Sequence, residues 1–104
     1  MDLKNKKISI IGAVRSGVGA AKLIKKVGGI PFVSDMADEK NIKEFVDELK
    51  KENIKFETGG HSEKVYDCEM MVVSPGVPND APVLINARKN HVSLISEVPL
   101  GWLG

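Results

Sequence analysis

The turn Gly12-Ala13-Val14-Arg15-Ser16-Gly17 interrupts an apolar, β-branched run, Ile8-Ser9-Ile10-Ile11, and leads into Val18, Ala20, Ala21 and Ile24. The order predicted is strand, tight turn, helix. The first amides of such a helix have no acceptor inside it, and its dipole leaves that end partly positive, so the turn suits an anion. Gly12 can take a backbone conformation barred to other residues, Gly17 lets the helix start close to the strand, and Arg15 and Ser16 add a cation and a hydroxyl. In the dinucleotide pattern G-x-G-x-x-G the middle glycine is here Val14, which leaves less room for a pyrophosphate against the backbone. A structural strand-to-helix turn and an anion seat both account for these residues.

Two further stretches bear on the same chemistry. Asp35 lies 18 residues after Gly17, where an acid in nicotinamide-binding folds accepts hydrogen bonds from a ribose; a turn cap is the competing role. In Ser74-Pro75-Gly76 the proline pushes Ser74 into an extended conformation and Gly76 can present backbone amides, either to a ligand or simply within a rigid turn. His61 follows Gly59-Gly60 and has no second metal ligand in sequence reach, so hydrogen bonding within its turn is the expectation, with His91 exposed. Cys68 stands between Asp67 and Glu69, whose charges oppose thiolate formation; it reads as a small, partly buried apolar side chain. No nucleophile with a base, no acid pair and no metal cluster can be assembled, so no catalytic residue is assigned.

The elements that must position these residues alternate along the chain. Strands are expected at Lys7–Ile11, Ile30–Asp35, Ile54–Glu57 (near an edge), Glu69–Val73 and His91–Ile95. Helices are expected from Ser16 to Gly28-Gly29, from Asp38 to Asn53 with Asp38 as cap, and from Ala81 to Asn90 with Asp80 as cap, plus a short turn from Ser62 to Tyr66. Lys43 and Lys51 are each helical neighbours of Asp47. Two glycines early in the first helix, Gly17 and Gly19, call for a packing or backbone reason. Alternation with right-handed crossovers implies an α/β fold: a Rossmann-like, doubly wound parallel sheet of about five strands in three αβα layers, the first strand near its middle. Ligands of such sheets bind beyond the carboxyl ends of the strands, where the glycine turn, Asp35 and Ser74–Gly76 would meet.

Composition limits the alternatives. The chain has 104 residues, 42% hydrophobic and 28% charged, with a formal charge of +1 and one cysteine. That is one ordinary globular domain, with no basic patch for nucleic acid, no apolar run near the roughly 20 residues a membrane span needs, and no internal disulfide. A cytoplasmic location is the expectation.

Taken in order, Gly12–Gly17 with its Ala-rich helix, Val33-Ser34-Asp35, Gly59-Gly60-His61, Val72-Val73-Ser74-Pro75-Gly76-Val77-Pro78 and Ile95-Ser96-Glu97-Val98 resemble the N-terminal domain of the Mur ligases. The branch they resemble most is the one that adds D-glutamate to UDP-N-acetylmuramoyl-L-alanine in peptidoglycan precursor synthesis. The resemblance implies that residues 1–104 are a single domain holding the UDP moiety. Ala13, Val14, Arg15, Ser16 and Gly17 would lie at the diphosphate, Asp35 and Met36 near the uracil, and Ser74, Pro75 and Gly76 along the other wall. The family often has a small polar and then a basic residue after the acid, where this chain has Met36-Ala37. ATP and Mg belong, by the same resemblance, to a central domain with a G-x-x-G-K-[ST] loop, so no cofactor is expected in this domain and it should not ligate anything alone. Leu100, Trp102 and Leu103 are candidates for apolar surface meeting the remaining domains. Two other functions remain open: an NAD-binding domain of an oxidoreductase, and a Rossmann-like interaction domain that binds no nucleotide.

Overall fold

In a computed structural model, described here for residues 2–96, five strands form one parallel sheet. The strands are β1 (Lys7–Ile11), β2 (Ile30–Ser34), β3 (Lys55–Glu57), β4 (Met70–Val73) and β5 (Ser93–Ile95), in the spatial order β3-β2-β1-β4-β5. The predicted central place of the first strand and the edge place of the third are both observed. Register brings Ile11 beside Ser34 on one side and Val73 on the other, so the three chains leave the sheet together. Three helices cover it: α1 (Arg15–Lys26), α2 (Lys43–Lys51) and α3 (Pro82–Lys89).

The apolar run of β1 is buried on both faces, as expected of a strand without alternation. Ile8 and Ile10 join Val18, Ala21, Ile24, Val33, Val46 and Leu49 in one core, while Ile11 joins Val65, Met71, Val73, Val83 and Leu84 in the other. Ser9, the polar exception, is buried and donates its hydroxyl to the Val65 carbonyl at 2.7 Å.

Local chemistry explains where the helices begin and end. A β-carbon on Gly17 would lie 1.8 Å from the Gly12 carbonyl oxygen, so α1 can sit on its own strand only with glycine there. Gly19 has no such reason: it is exposed, with open space where a β-carbon would go. The helix stops before Gly28, whose φ of +93° is left-handed, as the sequence predicts.

The predicted Asp38–Asn53 helix is divided. A 3-10 turn spans Glu39–Ile42, and α2 begins only at Lys43, because Ile42, at φ −128° and ψ 28°, leaves the helical region as its side chain enters the core. Asp38 makes no side-chain cap. Lys43 pairs with Asp47 at 3.1 Å, whereas Asp47 and Lys51 form no ion pair among the described residues. Nor does Asp80 cap α3: the chain turns at Pro78–Ala81, Ala81 takes the N-cap position, and Pro82, which has no N–H to satisfy, opens the helix. The last strand starts at Ser93 rather than His91, since exposed His91 is itself left-handed at φ +59°. Glu97 and Val98 of the last resembling segment, and Leu100, Trp102 and Leu103, lie outside the described residues. No helix of the described residues is long and apolar enough to cross a membrane.

Candidate functional site

The three loops at the carboxyl ends of β1, β2 and β4 are tied to one another by backbone chemistry. Gly12 donates its amide to the Ser34 carbonyl at 2.8 Å, and the Ser74 amide donates to the Ile11 carbonyl at 3.0 Å. Gly12, at φ +108°, lies so close over Ser74 that a β-carbon there would meet the Ser74 Oγ at 2.5 Å. Asp35 completes the tie: Oδ2 accepts from the Ala13 amide at 2.6 Å and Oδ1 from the Ala37 amide at 2.8 Å. The capping role offered for Asp35 is therefore observed, with the carboxylate holding the glycine turn against the end of β2.

At the start of α1, Val14 is the N-cap residue, without a side-chain cap and with no acid in the first turn. The first intrahelical bond there runs from the Val18 amide to the Val14 carbonyl. Among the described residues, the amides of Val14, Arg15, Ser16 and Gly17 have no hydrogen-bond acceptor. Val14, Arg15 and Ser16 are exposed, while Ala13 and Gly17 are buried. The arrangement joins free N–H groups, the positive end of a helix and one guanidinium.

Beside this helix start opens a cleft of about 490 Å³. Gly12, Asp35, Met36, His61 and Gly76 line it together with Tyr66, Val77, Pro78, Ala81, Val83 and Asn86. Of the ten residues predicted for the site, it gathers Asp35, Met36 and Gly76. Val14, Arg15 and Ser16 follow Gly12 in the chain, outside the lining. Ala13 packs into the core, and Gly17 serves helix packing. Ser74 and Pro75 line a different depression, with Leu94 and Ile95. The apolar wall from Tyr66 to Val83 was not legible as a site, because its residues are ordinary core types; only the continuation of the Ser74 turn into Val77-Pro78 signalled part of it.

The hydrogen bonding within its own turn expected of His61 is not observed among the described residues; its partner is Ser34 of β2, which the folded sheet brings beside it. Its Nδ1 lies 2.6 Å from the Ser34 Oγ, which lies 2.7 Å from the Glu57 Oε2, and that carboxylate oxygen also accepts from the Ser62 amide at 2.8 Å. Burial holds the His61 imidazolium below its usual range, against the opposing charges of Glu57 and Asp35. Burial pushes the Glu57 carboxyl up, but hydrogen bonds from Ser62 and Ser34 and the charge of His61 together bring it below its ordinary value. Cys68 is half-buried and its thiol donates to the Val65 carbonyl at 3.3 Å, in keeping with a structural role. Among the described residues, no group of three or more acidic, cysteine or histidine side chains could hold a metal ion.

The profile of the MurD N-terminal domain matches residues 7–83, a span that runs from β1 into α3 and includes every loop described above. The chain belongs to the MurD N-terminal domain family. It is similar to the UDP-N-acetylmuramoylalanine--D-glutamate ligase of Clostridioides difficile (strain 630), with 40% identity over 103 residues, covering 98% of this chain and 23% of that protein. The ligase of the same name from Chlorobaculum parvum (strain DSM 263 / NCIMB 8327) is 41% identical over 98 residues, covering 94% of this chain and 21% of that protein. The chain thus spans under a quarter of the length of these relatives. Among solved structures, SirC, a precorrin-2 dehydrogenase, shares the Rossmann-like fold at a TM-score of 0.58, with 15% identity, over 96% of this chain and 51% of that one. At that identity the likeness concerns the fold alone. Within the family, what this chain contributes is the tied trio of loops and the cleft beside α1.

Proposed function

We propose that this chain binds the UDP moiety of UDP-N-acetylmuramoyl-L-alanine, as the N-terminal domain of an ATP-dependent ligase that adds D-glutamate in peptidoglycan precursor synthesis. The observation that carries the reading is the uncapped start of α1, its amides unpartnered among the described residues, beside a largely apolar cleft in a MurD N-terminal domain. The diphosphate would accept from the amides of Val14 to Gly17, assisted by Arg15 and Ser16. The base would enter the cleft past Asp35 and Met36, with Gly76 on the opposite wall. Ser74 would act beneath the site, supporting Gly12, rather than along its wall. The bound precursor would then be presented to the remaining domains of the ligase, to which ATP and Mg belong in this reading, in the cytoplasm.

Calorimetric and NMR titration of the chain with UDP, the UDP-muramoyl-alanine precursor and NAD tests this. UDP and the precursor are expected to bind and to shift the amide resonances of residues 12–17, 35–36 and 76, with NAD leaving them in place. Selective binding of NAD, or no shift with either UDP compound, would overturn the reading.

A further inference from the structure

The Glu57–Ser34–His61 network determines which nitrogen of His61 carries its proton. Ser34 is fully buried and its hydroxyl has one proton to give. Its close acceptor is the Glu57 Oε2 at 2.7 Å; the Gly60 carbonyl is at 3.5 Å. Glu57 is held ionised by its donors and can only accept. If the Ser34 proton went to His61 instead, two acceptor oxygens would face each other at 2.7 Å. The proton therefore goes to Glu57, and the Ser34 Oγ accepts from His61, 2.6 Å away. Burial favours the neutral ring, so Nδ1 carries the hydrogen and Nε2 is left as a bare acceptor.

Among the described residues Nε2 has no hydrogen-bond partner, and no buried side-chain polar atom lacks one, so Nε2 reaches solvent. The space that His61 borders is the cleft. The carboxylate that lines the cleft, Asp35, already accepts from two backbone amides. His61 is thus an uncommitted acceptor beside Asp35, on the side of the cleft nearest β2. Its position selects the part of a ligand that meets it. The amide seat lies at the end of β1, while His61 hangs from the turn after β3 against the end of β2, one to two strand spacings away, or about 5–10 Å. A nucleotide anchored by its phosphates at α1 and lying along the cleft would bring its base, the end farthest from those phosphates, to His61.

We propose that His61 is a specificity residue of the nucleotide site, locked by Glu57 and Ser34 in the Nδ1–H tautomer so that Nε2 accepts a hydrogen bond from the imide N–H of a uracil base. The proposal rests on the UDP reading above and adds how the base is told from cytosine, whose ring nitrogen at that position is an acceptor and would oppose Nε2.

Two measurements on the whole chain test it. Long-range nitrogen NMR of the ligand-free protein at pH 7.5 is expected to show His61 neutral with the proton on Nδ1; an Nε2–H ring or an imidazolium would overturn the tautomer lock. Calorimetry with UDP and CDP on the wild type and on His61→Phe, which keeps a planar ring of similar size, reads the specificity. The wild type is expected to prefer UDP by about tenfold, the worth of one neutral hydrogen bond, and His61→Phe to bind UDP about tenfold more weakly and to lose most of the preference. UDP binding and preference unchanged in His61→Phe would overturn the role of His61 while leaving the UDP reading standing. Failure of the wild type to bind UDP at all would instead overturn that reading, and this proposal with it.

Discussion

At the scale of single residues, two glycines of one helix make opposite predictions. Gly17 is needed because a β-carbon would run into the backbone of Gly12, which is fixed in turn by its bond to Ser34 and its contact with Ser74. Backbone cannot yield as a flexible side chain does. Gly17→Ala should therefore lower stability by about 3 kcal/mol or more in urea unfolding, and an unchanged midpoint would show the helix free to lift off its strand. Gly19 faces open space at helical geometry, so Gly19→Ala should raise stability by up to about 1 kcal/mol in the same experiment. Both glycines were visible in the sequence as a pair in need of a reason. Only the distance to the Gly12 carbonyl separates them, since helical spacing places neither relative to the preceding strand.

Among the elements, α2 depends most on burial. It is short and carries charge on most positions, and its hold on the sheet is the stripe Ile42, Val46 and Leu49, with Phe45 partly buried beside it. Its ion pairs, Lys43–Asp47, the Lys22–Glu48 link to α1 and the Lys50–Glu39 link to the preceding 3-10 turn, are exposed and contribute little. Leu49, fully buried, supplies much of the contact. Leu49→Ala should cost about 2–5 kcal/mol by urea unfolding, whereas Lys22→Ala should barely move the midpoint. A comparable loss for both would mean that the ion pair, rather than the apolar stripe, seats the helix. The stripe was legible from period alone, but the break at Ile42 was not: local propensity favours one continuous helix, and only the need to bring Ile42 into the core interrupts it. The caps expected of Asp38 and Asp80 fail for a related reason, because the chain path before each helix leaves those side chains without an amide to accept from.

For the molecule as a whole, acid is the expected weakness. His61 and Glu57 both have folded-state values below their ordinary 6.5 and 4.5, so the unfolded chain takes up protons first on acidification. Their contributions are present above 6.5 and 4.5 respectively and are lost as pH falls from each value towards the lower folded one. Stability followed by urea midpoint should decline below about pH 6.5, again below about 4.5, and the first decline should be absent in His61→Phe. A variant profile matching the wild type in that first window would assign it to other groups. The amino-acid order by itself determined the layered α/β fold, the central place of β1 and the convergence of three loops, because apolar periodicity, glycine stops and right-handed crossovers leave few other topologies. The cleft was decided by tertiary structure alone. Its apolar wall comes from separate segments whose side chains look like core until the sheet leaves one edge of them open. The same holds for Asp35, His61 and Ser74, each of which has a partner far along the chain, chosen by the twist and register of the folded sheet.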